Sequence, residues 1–150
     1  MANTYTKLFY HIVFGTKRRE PLVSATLCKD LYAYIGGIIR AHKSALVEIG
    51  GMPDHVHLVV RTRPDISVSE LVRLVKANSS KWANERGGST GRFAWQEGYG
   101  AFSVSFSQLP ALREYVRNQA EHRRTRTFEE EYVEFLRRHE IEFDEAHLWS

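Results

Sequence analysis

Two histidines separated by one residue are the first feature of this sequence that could do chemistry. His55 and His57 follow the turn signal Gly50-Gly51-Met52-Pro53-Asp54 and open a β-branched apolar run, Val56 to Val60. Because residues i and i+2 of a strand point to the same face, the two imidazoles should project side by side while Val56 faces the core. Imidazoles in this arrangement can hold one divalent cation. The alternative is a polar sheet face that binds nothing.

Tyr115 and Gln119 form a second candidate group because they are four residues apart in a predicted helix. That spacing places both side chains on one helix face. Of the seven tyrosines, Tyr115 alone has a carboxamide four residues later. The alternative is a half-buried helix tyrosine beside a solvated glutamine.

Strands and helices alternate along the chain in an order that predicts how these groups are positioned. The predicted strands are Leu8–Phe14, Ala45–Ile49, Val56–Val60 and a strand or strand pair within Phe93–Phe106. The two intervening helices begin after the N-cap residues Ser24 and Ser67. Strand, helix, strand, strand, helix, strand is the order of an antiparallel ferredoxin-like βαββαβ sandwich of the α+β class.

Additional C-terminal helices complete the predicted fold. Ser107 is expected to cap a helix from Leu109 to His122, with Pro110 in its first turn. Thr127 and Glu130 form a capping box for a last helix that runs through Arg138. The Gly- and Ser-rich segment Glu85–Arg92 is predicted to be a flexible loop.

Composition predicts a single domain over residues 1–150. Hydrophobic residues make up 43% of the chain, which is typical of a globular protein rather than a disordered one. No apolar run approaches the ~20 residues of a membrane span, and no signal peptide is recognisable. The single cysteine, Cys28, has no partner for an internal disulfide and is assigned no chemistry. A cytoplasmic location is therefore expected.

Charge is distributed unevenly along the chain. Residues 1–126 carry 19 Lys and Arg against 10 Asp and Glu, a net charge of +9, whereas residues 127–150 carry 2 against 8, a net charge of −6. A basic body with an acidic helical tail favours a polyanionic partner for the body. The alternative is an ordinary solvated surface.

Taken together, these motifs resemble the single-tyrosine HUH transposases, the small TnpA-like enzymes of bacterial insertion sequences. Their motif is His-hydrophobic-His on a central strand, here His55-Val56-His57, with a nucleophilic tyrosine and a glutamine four residues on, here Tyr115 and Gln119. The resemblance also covers Tyr10–Lys17 and Trp95–Tyr99. The tail from Phe128 to Trp149 is longer than the smallest members need and is more similar to the repeat-associated branch.

The resemblance implies a chemistry for each motif. A divalent cation, Mg²⁺ or Mn²⁺, would lie on His55, His57 and Gln119 and polarise the scissile phosphate. Tyr115 would attack in line and leave a 5′-phosphotyrosine and a free 3′-hydroxyl, so that rejoining requires no ATP. Asp54 is the nearest carboxylate to the histidines. It is expected either to orient one of them or to serve only as the turn residue after Pro53.

The resemblance also implies the partners. The substrate would be single-stranded DNA with a hairpin near the cut, which puts the protein at the nucleoid when it acts. Charge makes five residues candidate contacts to the DNA backbone: Lys17, Arg18, Arg19, Lys76 and Lys81. A homodimer is expected, in which the tyrosine helix of one subunit completes the histidine site of the other. The short link Ser105–Ser107 is also compatible with a helix that stays on its own sheet.

Two other functions fit parts of the sequence. A non-catalytic single-stranded nucleic-acid-binding module of the same fold would use the sheet for stacking, but it would not need the histidines or Gln119. A metal-dependent hydrolase with an activated water would use the metal ligands but leave Tyr115 without a role. A covalent protein–DNA adduct distinguishes the transposase from both.

Overall fold

A computed structural model describes residues 3–86, 92–122 and 126–149. The strands are β1 (Leu8–Gly15), β2 (Ala45–Met52), β3 (His55–Thr62) and β4 (Gly100–Val104). The helices are α1 (Ala25–Ala41), α2 (Val68–Glu85), α3 (Leu109–Arg117), α4 (Gln119–His122) and α5 (Phe128–Arg138). Short 3₁₀ turns lie at Lys17–Arg19, Phe106–Gln108 and Glu145–His147. No helix in these described ranges has the length and apolar character that crossing a membrane requires.

The four strands form one antiparallel sheet in the order β2-β3-β1-β4. β3 and β1 occupy its centre, so the strand that carries the two histidines is hydrogen-bonded on both edges. This arrangement confirms the predicted ferredoxin-like α+β fold with additional C-terminal helices.

Alternate residues of the central strands face two different helical layers. On the first face, Ile12 and Phe14 of β1 and Val56 and Leu58 of β3 pack in the main apolar cluster with α1 and α2. On the second face, α3 and α4 lie against β2, while Phe128, Tyr132 and Leu136 of α5 pack on Val13 and Phe102. The sheet therefore lies between two layers of helices, and Val56 faces the core as predicted.

The helix starts follow the sequence signals, with one exception. The Ser24 and Ser67 side chains accept hydrogen bonds from the backbone N–H groups of Leu27 and Glu70, and the Thr127–Glu130 capping box is present. Ser107 does not cap α3. It lies within the 3₁₀ turn Phe106–Gln108, and Gln108 occupies the N-cap position without a side-chain hydrogen bond.

Two predicted elements are shorter in the structure. Within Phe93–Phe106, regular pairing is confined to β4, and Trp95 makes an isolated bridge to Thr16. The helix predicted from Leu109 to His122 is divided at Asn118, which has a non-helical ψ of 35°. Residues 87–91 of the predicted Glu85–Arg92 loop lie outside the described residues.

Candidate active site

The histidine pair lies on the second face of the sheet and is completely buried. His55 and His57 are both 0% exposed, so they do not lie on a solvent-facing surface of the sheet. The Phe128 ring of α5 stacks on His55, with ring centroids 4.1 Å apart. The cover over the histidines is thus partly supplied by the C-terminal helix.

Gly50 lets the tyrosine segment approach the histidines. It pairs with His57 in the β2–β3 register, and a Cβ atom there would lie 2.1 Å from the Val116 carbonyl oxygen. A side chain at this position would therefore push the end of α3 away from the sheet. The absence of a side chain at Gly50 therefore allows α3 to pack closely enough on β2 for Tyr115 and Gln119 to reach the histidines.

Tyr115 and Gln119 reach the site from two helices rather than from one continuous face. α3 ends at Arg117, the chain bends at Asn118, and Gln119 begins α4. The Gln119 Oε1 atom lies 2.9 Å from His55 Nε2, and the Tyr115 ring lies edge-on to His57 at 5.9 Å. The prediction that Tyr115 and Gln119 lie close together is thus correct, but the prediction that they share one helix face is wrong.

Glu131 is the functional candidate that sequence reasoning missed. This α5 residue is 2% exposed, and one carboxylate oxygen, Oε1, accepts a hydrogen bond from His57 Nε2 at 2.8 Å. The other oxygen, Oε2, accepts a hydrogen bond from the Tyr115 hydroxyl. A signal was present in the sequence, because Glu131 falls on the apolar stripe of α5 between Phe128 and Phe135.

The other ring nitrogens of the two histidines also have partners. His55 Nδ1 donates to Asp54 Oδ1 at 2.8 Å, so Asp54 has the geometry of an orienting group. His57 Nδ1 lies 2.8 Å from Nε2 of a third buried histidine, His11 of β1. Because a carboxylate only accepts, His57 carries its proton on Nε2 and accepts at Nδ1 from His11.

Burial sets the charge states in this cluster. Burial lowers the pKa of His57, and the Glu131 carboxylate only partly opposes the shift. Burial alone would raise the pKa of Glu131, but hydrogen bonds from His57 and Tyr115 and the nearby imidazoles lower it to about 2. Burial, followed by the contact with Glu131, raises the pKa of Tyr115. A neutral His57, an ionised Glu131 and a protonated Tyr115 are the forms expected near neutral pH.

The donor set fits a divalent cation. One ligand atom each from His55, His57 and Glu131 lie within 4.8 Å of one another, and Gln119 Oε1 adjoins His55. Two imidazole nitrogens with carboxylate and amide oxygens form a mixed donor set that can hold a divalent cation.

The candidate DNA contacts separate into two regions. Lys17, Arg18 and Arg19 form a turn directly after β1, whose last residue, Gly15, pairs with His55. Lys17 and Arg18 are exposed, whereas Arg19 contacts Glu129 at 3.0 Å. This turn therefore lies at the end of the sheet where the histidine strand begins.

Lys76 and Lys81 belong to α2, on the opposite face of the sheet from the histidines. The Lys76 ammonium donates to the carbonyl oxygens of Gln96, Glu97 and Gly98 at 2.5–3.0 Å. Those bonds use its three protons, and burial lowers its pKa to about 8. Lys81 is exposed. The structure therefore does not bring these two lysines to the site.

Comparison with known sequences identifies the family. The family model for IS200-like transposases matches residues 4–119, which include both histidines, Tyr115 and Gln119. The chain belongs to the IS200-like transposase family. It is accordingly a DNA transposase, and the match ends before α5 and Glu131.

Individual relatives agree with the family match. The chain is 21% identical to the ISDra2 transposase TnpA of Deinococcus radiodurans, over 75% of this chain and 84% of the relative. It is 24% identical to the transposase for insertion sequence element IS200 of Salmonella typhimurium, over 81% and 82%. Both alignments span most of each protein.

Two solved structures share the fold. A putative transposase from Deinococcus radiodurans superposes with a TM-score of 0.62 at 23% identity, covering 79% of this chain and 95% of that one. A REP-associated tyrosine transposase bound to a REP hairpin superposes with a TM-score of 0.58 at 14% identity, covering 77% and 68%.

Proposed function

We propose that this transposase cuts and rejoins single-stranded DNA through a covalent 5′-phosphotyrosine on Tyr115. The supporting observation is that the candidate catalytic residues, which are far apart in the sequence, lie close together in the structure. The hydroxyl of the half-buried Tyr115, the buried His55–His57 pair and the buried Gln119 come from separate elements and meet in one cluster. A nucleic-acid-binding module would not need this cluster, and a hydrolase would not need the tyrosine.

The ligand set proposed for a divalent metal is His55, His57 and Gln119, as the family resemblance implies, with Glu131 added by its position. When bound, the ion would supply positive charge to polarise a phosphate and to neutralise developing negative charge. Asp54 would hold the His55 ring so that its Nε2 atom stays directed toward Gln119.

Tyr115 is the proposed nucleophile. Its hydroxyl oxygen would form a bond to the scissile phosphorus while the bond from phosphorus to the 3′-oxygen breaks, and that oxygen would take a proton to become a 3′-hydroxyl. The Tyr115 proton already points at Glu131 Oε2, which gives it an acceptor on the atom that must lose it. Rejoining reverses the exchange with a new 3′-hydroxyl, and the phosphodiester bond energy is retained.

Hairpin-containing DNA is the proposed substrate. The fold relative that is bound to a REP hairpin supports this class, and the exposed Lys17 and Arg18 beside the histidine end of the sheet offer contacts to phosphates. A cavity of about 300 Å³ between α3 and α5 is lined by Tyr115 and Glu131 and offers the strand a route to the nucleophile.

We further propose that one chain, acting as a single domain, supplies a whole site. Gln119 Oε1 lies 2.9 Å from His55 Nε2 of its own chain, and the link from β4 to α3 is short, residues 105–108, with the 3₁₀ turn Phe106–Gln108 in it. The homodimer stays a prediction from the family resemblance, and the exchange of tyrosine helices between its subunits is the arrangement that competes with this proposal. Mixing Tyr115→Phe with His55→Ala chains separates the cases, because exchanged helices would restore an intact composite site and a cis site would not.

A denaturing gel tests the main proposal. The protein is incubated with labelled single-stranded oligonucleotides, with and without a hairpin, in Mn²⁺ or in excess EDTA. We expect a protein–DNA adduct that survives denaturation, forms on the hairpin strand and requires the metal. Binding without an adduct would favour the binding module, and cleavage without an adduct would favour the hydrolase.

A further inference from the structure

The two histidines of the proposed metal site differ in the hydrogen-bond partner of their Nδ1 atom. His55 Nδ1 is held by a carboxylate, Asp54, whereas His57 Nδ1 is held by another imidazole, that of His11. Building on the proposed metal site, we propose that His11 is a positioning residue that holds His57 in the orientation and tautomer that bind the cation.

The position of His11 is fixed by packing as well as by its hydrogen bond. It is 2% exposed and lies on β1, next to the histidine strand. The planes of the His11 and His57 rings are 17° apart with centroids 5.1 Å apart, and the Phe135 ring packs against His11 at 5.0 Å in a perpendicular orientation. Packing on these neighbours therefore holds the His11 ring so that its Nε2 atom lies 2.8 Å from His57 Nδ1.

The chemistry explains why an imidazole suits this position. Without a cation, His57 donates from Nε2 to Glu131 and must accept at Nδ1. With a cation on Nε2, the neutral His57 ring would carry its one proton on Nδ1 and donate there, and the neutral His11 ring would then carry its own proton on Nδ1 rather than on Nε2. A neutral histidine can donate or accept at Nε2, and His11 therefore satisfies His57 in both forms. An ionised carboxylate at position 11 could only accept.

Two substitutions at position 11 test this role. His11→Phe keeps a planar ring but removes the hydrogen bond, whereas His11→Gln keeps a group that can both donate and accept. We expect His11→Phe to raise the Kd for Mn²⁺, measured by calorimetry on the full chain, roughly 10–100-fold, the usual effect of losing a ligand's orienting partner. His11→Gln should recover most of this loss.

His139→Phe is a control for the same change of side chain at an exposed position on the same cavity. Like His11, whose ring lies 6.0 Å from that of Phe102, His139 packs on Phe102, at 4.3 Å, and lines the cavity between α3 and α5. Its Nδ1 atom donates to the Phe135 carbonyl rather than to His57. We expect its Kd for Mn²⁺ to equal that of the wild type. An equal rise in both phenylalanine variants would assign the effect to packing and overturn the positioning role.

A second measurement does not depend on any variant folding. In proton–nitrogen correlation spectra of the wild type, Zn²⁺ as a diamagnetic probe should move the His57 proton to Nδ1 and the His11 proton away from Nε2. Unchanged His11 signals at saturating Zn²⁺ would overturn the inference. Failure of the wild type to bind either cation would instead refute the proposed metal site, so the two failures are distinguishable.

Discussion

The two faces of the sheet are built from alternate residues of the same strands, yet one face forms the apolar core and the other carries the candidate active site. Ile12 and Leu58 face α1 and α2 in an apolar cluster, whereas His11 and His57 face α3 and α5. All four side chains are buried to a similar degree. Burial therefore does not distinguish core from site. The difference is that the second face buries polar atoms, each of which needs a hydrogen-bond partner to avoid a cost of about 1–3 kcal/mol.

The covers of the two faces also differ in origin. The helices over the first face lie within the residues shared with the family, 4–119. The second face is covered partly by α5, which follows that region and contributes Glu131 and Phe128. The helices over the apolar face thus lie within the matched residues, whereas Glu131 and Phe128 of the candidate site come from a segment outside them.

Removal of the proposed nucleophile should have the largest effect. Tyr115→Phe removes the oxygen that would bond to phosphorus, so we expect complete loss of the covalent adduct on denaturing gels. Hairpin binding should persist, because the ring still packs against His57 and Phe135.

Tyr132→Phe is the control for that change. Tyr132 is also buried, at 4% exposure, and burial raises its pKa to about 12, but it packs with the apolar residues of α5. Its variant should form the adduct normally. An adduct in Tyr115→Phe would move the nucleophile to another residue.

Substitution of Glu131 in α5 should have the next largest effect. Glu131→Gln keeps the shape but removes the charge that faces His57 and Tyr115. We expect Mn²⁺ affinity, measured by calorimetry, to fall by more than the ~10–100-fold typical of a residue that only orients a ligand. Glu129→Gln, on the exposed side of the same helix, should leave it unchanged. Equal affinities in all three proteins would remove Glu131 from the ligand set.

A change on the first face should affect stability and leave the site intact. Leu58→Ala empties part of the apolar cluster and should lower the free energy of unfolding by about 2–5 kcal/mol in urea titrations. Leu58→Met, which nearly conserves volume, should cost less than about 1.5 kcal/mol. The folded Leu58→Ala protein should bind Mn²⁺ as the wild type does. A large loss of metal affinity would mean that the two faces are coupled.

The sequence predicted the fold because its signals are local. The aromatic and β-branched runs of β1 and β3, the Ser24 and Ser67 caps and the Thr127 capping box are each recognisable from neighbouring residues. The helix break at Asn118 was missed, since no proline or glycine marks it. Trp95 and its neighbours were assigned to a strand, but tertiary contacts rather than strand pairing hold most of them.

The candidate site could be predicted only in part, because some of its residues are far apart in the sequence. His55 and His57 are recognisable from spacing two, and Tyr115 and Gln119 from spacing four, together with the family resemblance. Glu131 approaches His57 from 74 residues away, and His11 from 46 residues away. Such distances leave no pattern in spacing. Basic residues likewise carry no sign of which sheet face they will occupy, as Lys76 illustrates.

The cationic residues provide the smallest and last test. Lys17 and Arg18 are exposed beside the histidine end of the sheet, whereas Lys81 lies on α2 behind the first face. If DNA binds along the second face, the double change Lys17→Gln with Arg18→Gln should weaken binding at low salt. It should also reduce the slope of log K against log salt by roughly 1.4, about 0.7 for each lost phosphate contact on a single strand. Lys81→Gln should leave the slope unchanged, because its side chain is on the opposite helical layer. Hairpin binding measured by fluorescence anisotropy between low and moderate salt gives all three slopes. A reduced slope for Lys81→Gln with none for the double variant would put the DNA on the α1–α2 side and reverse the division between scaffold and site.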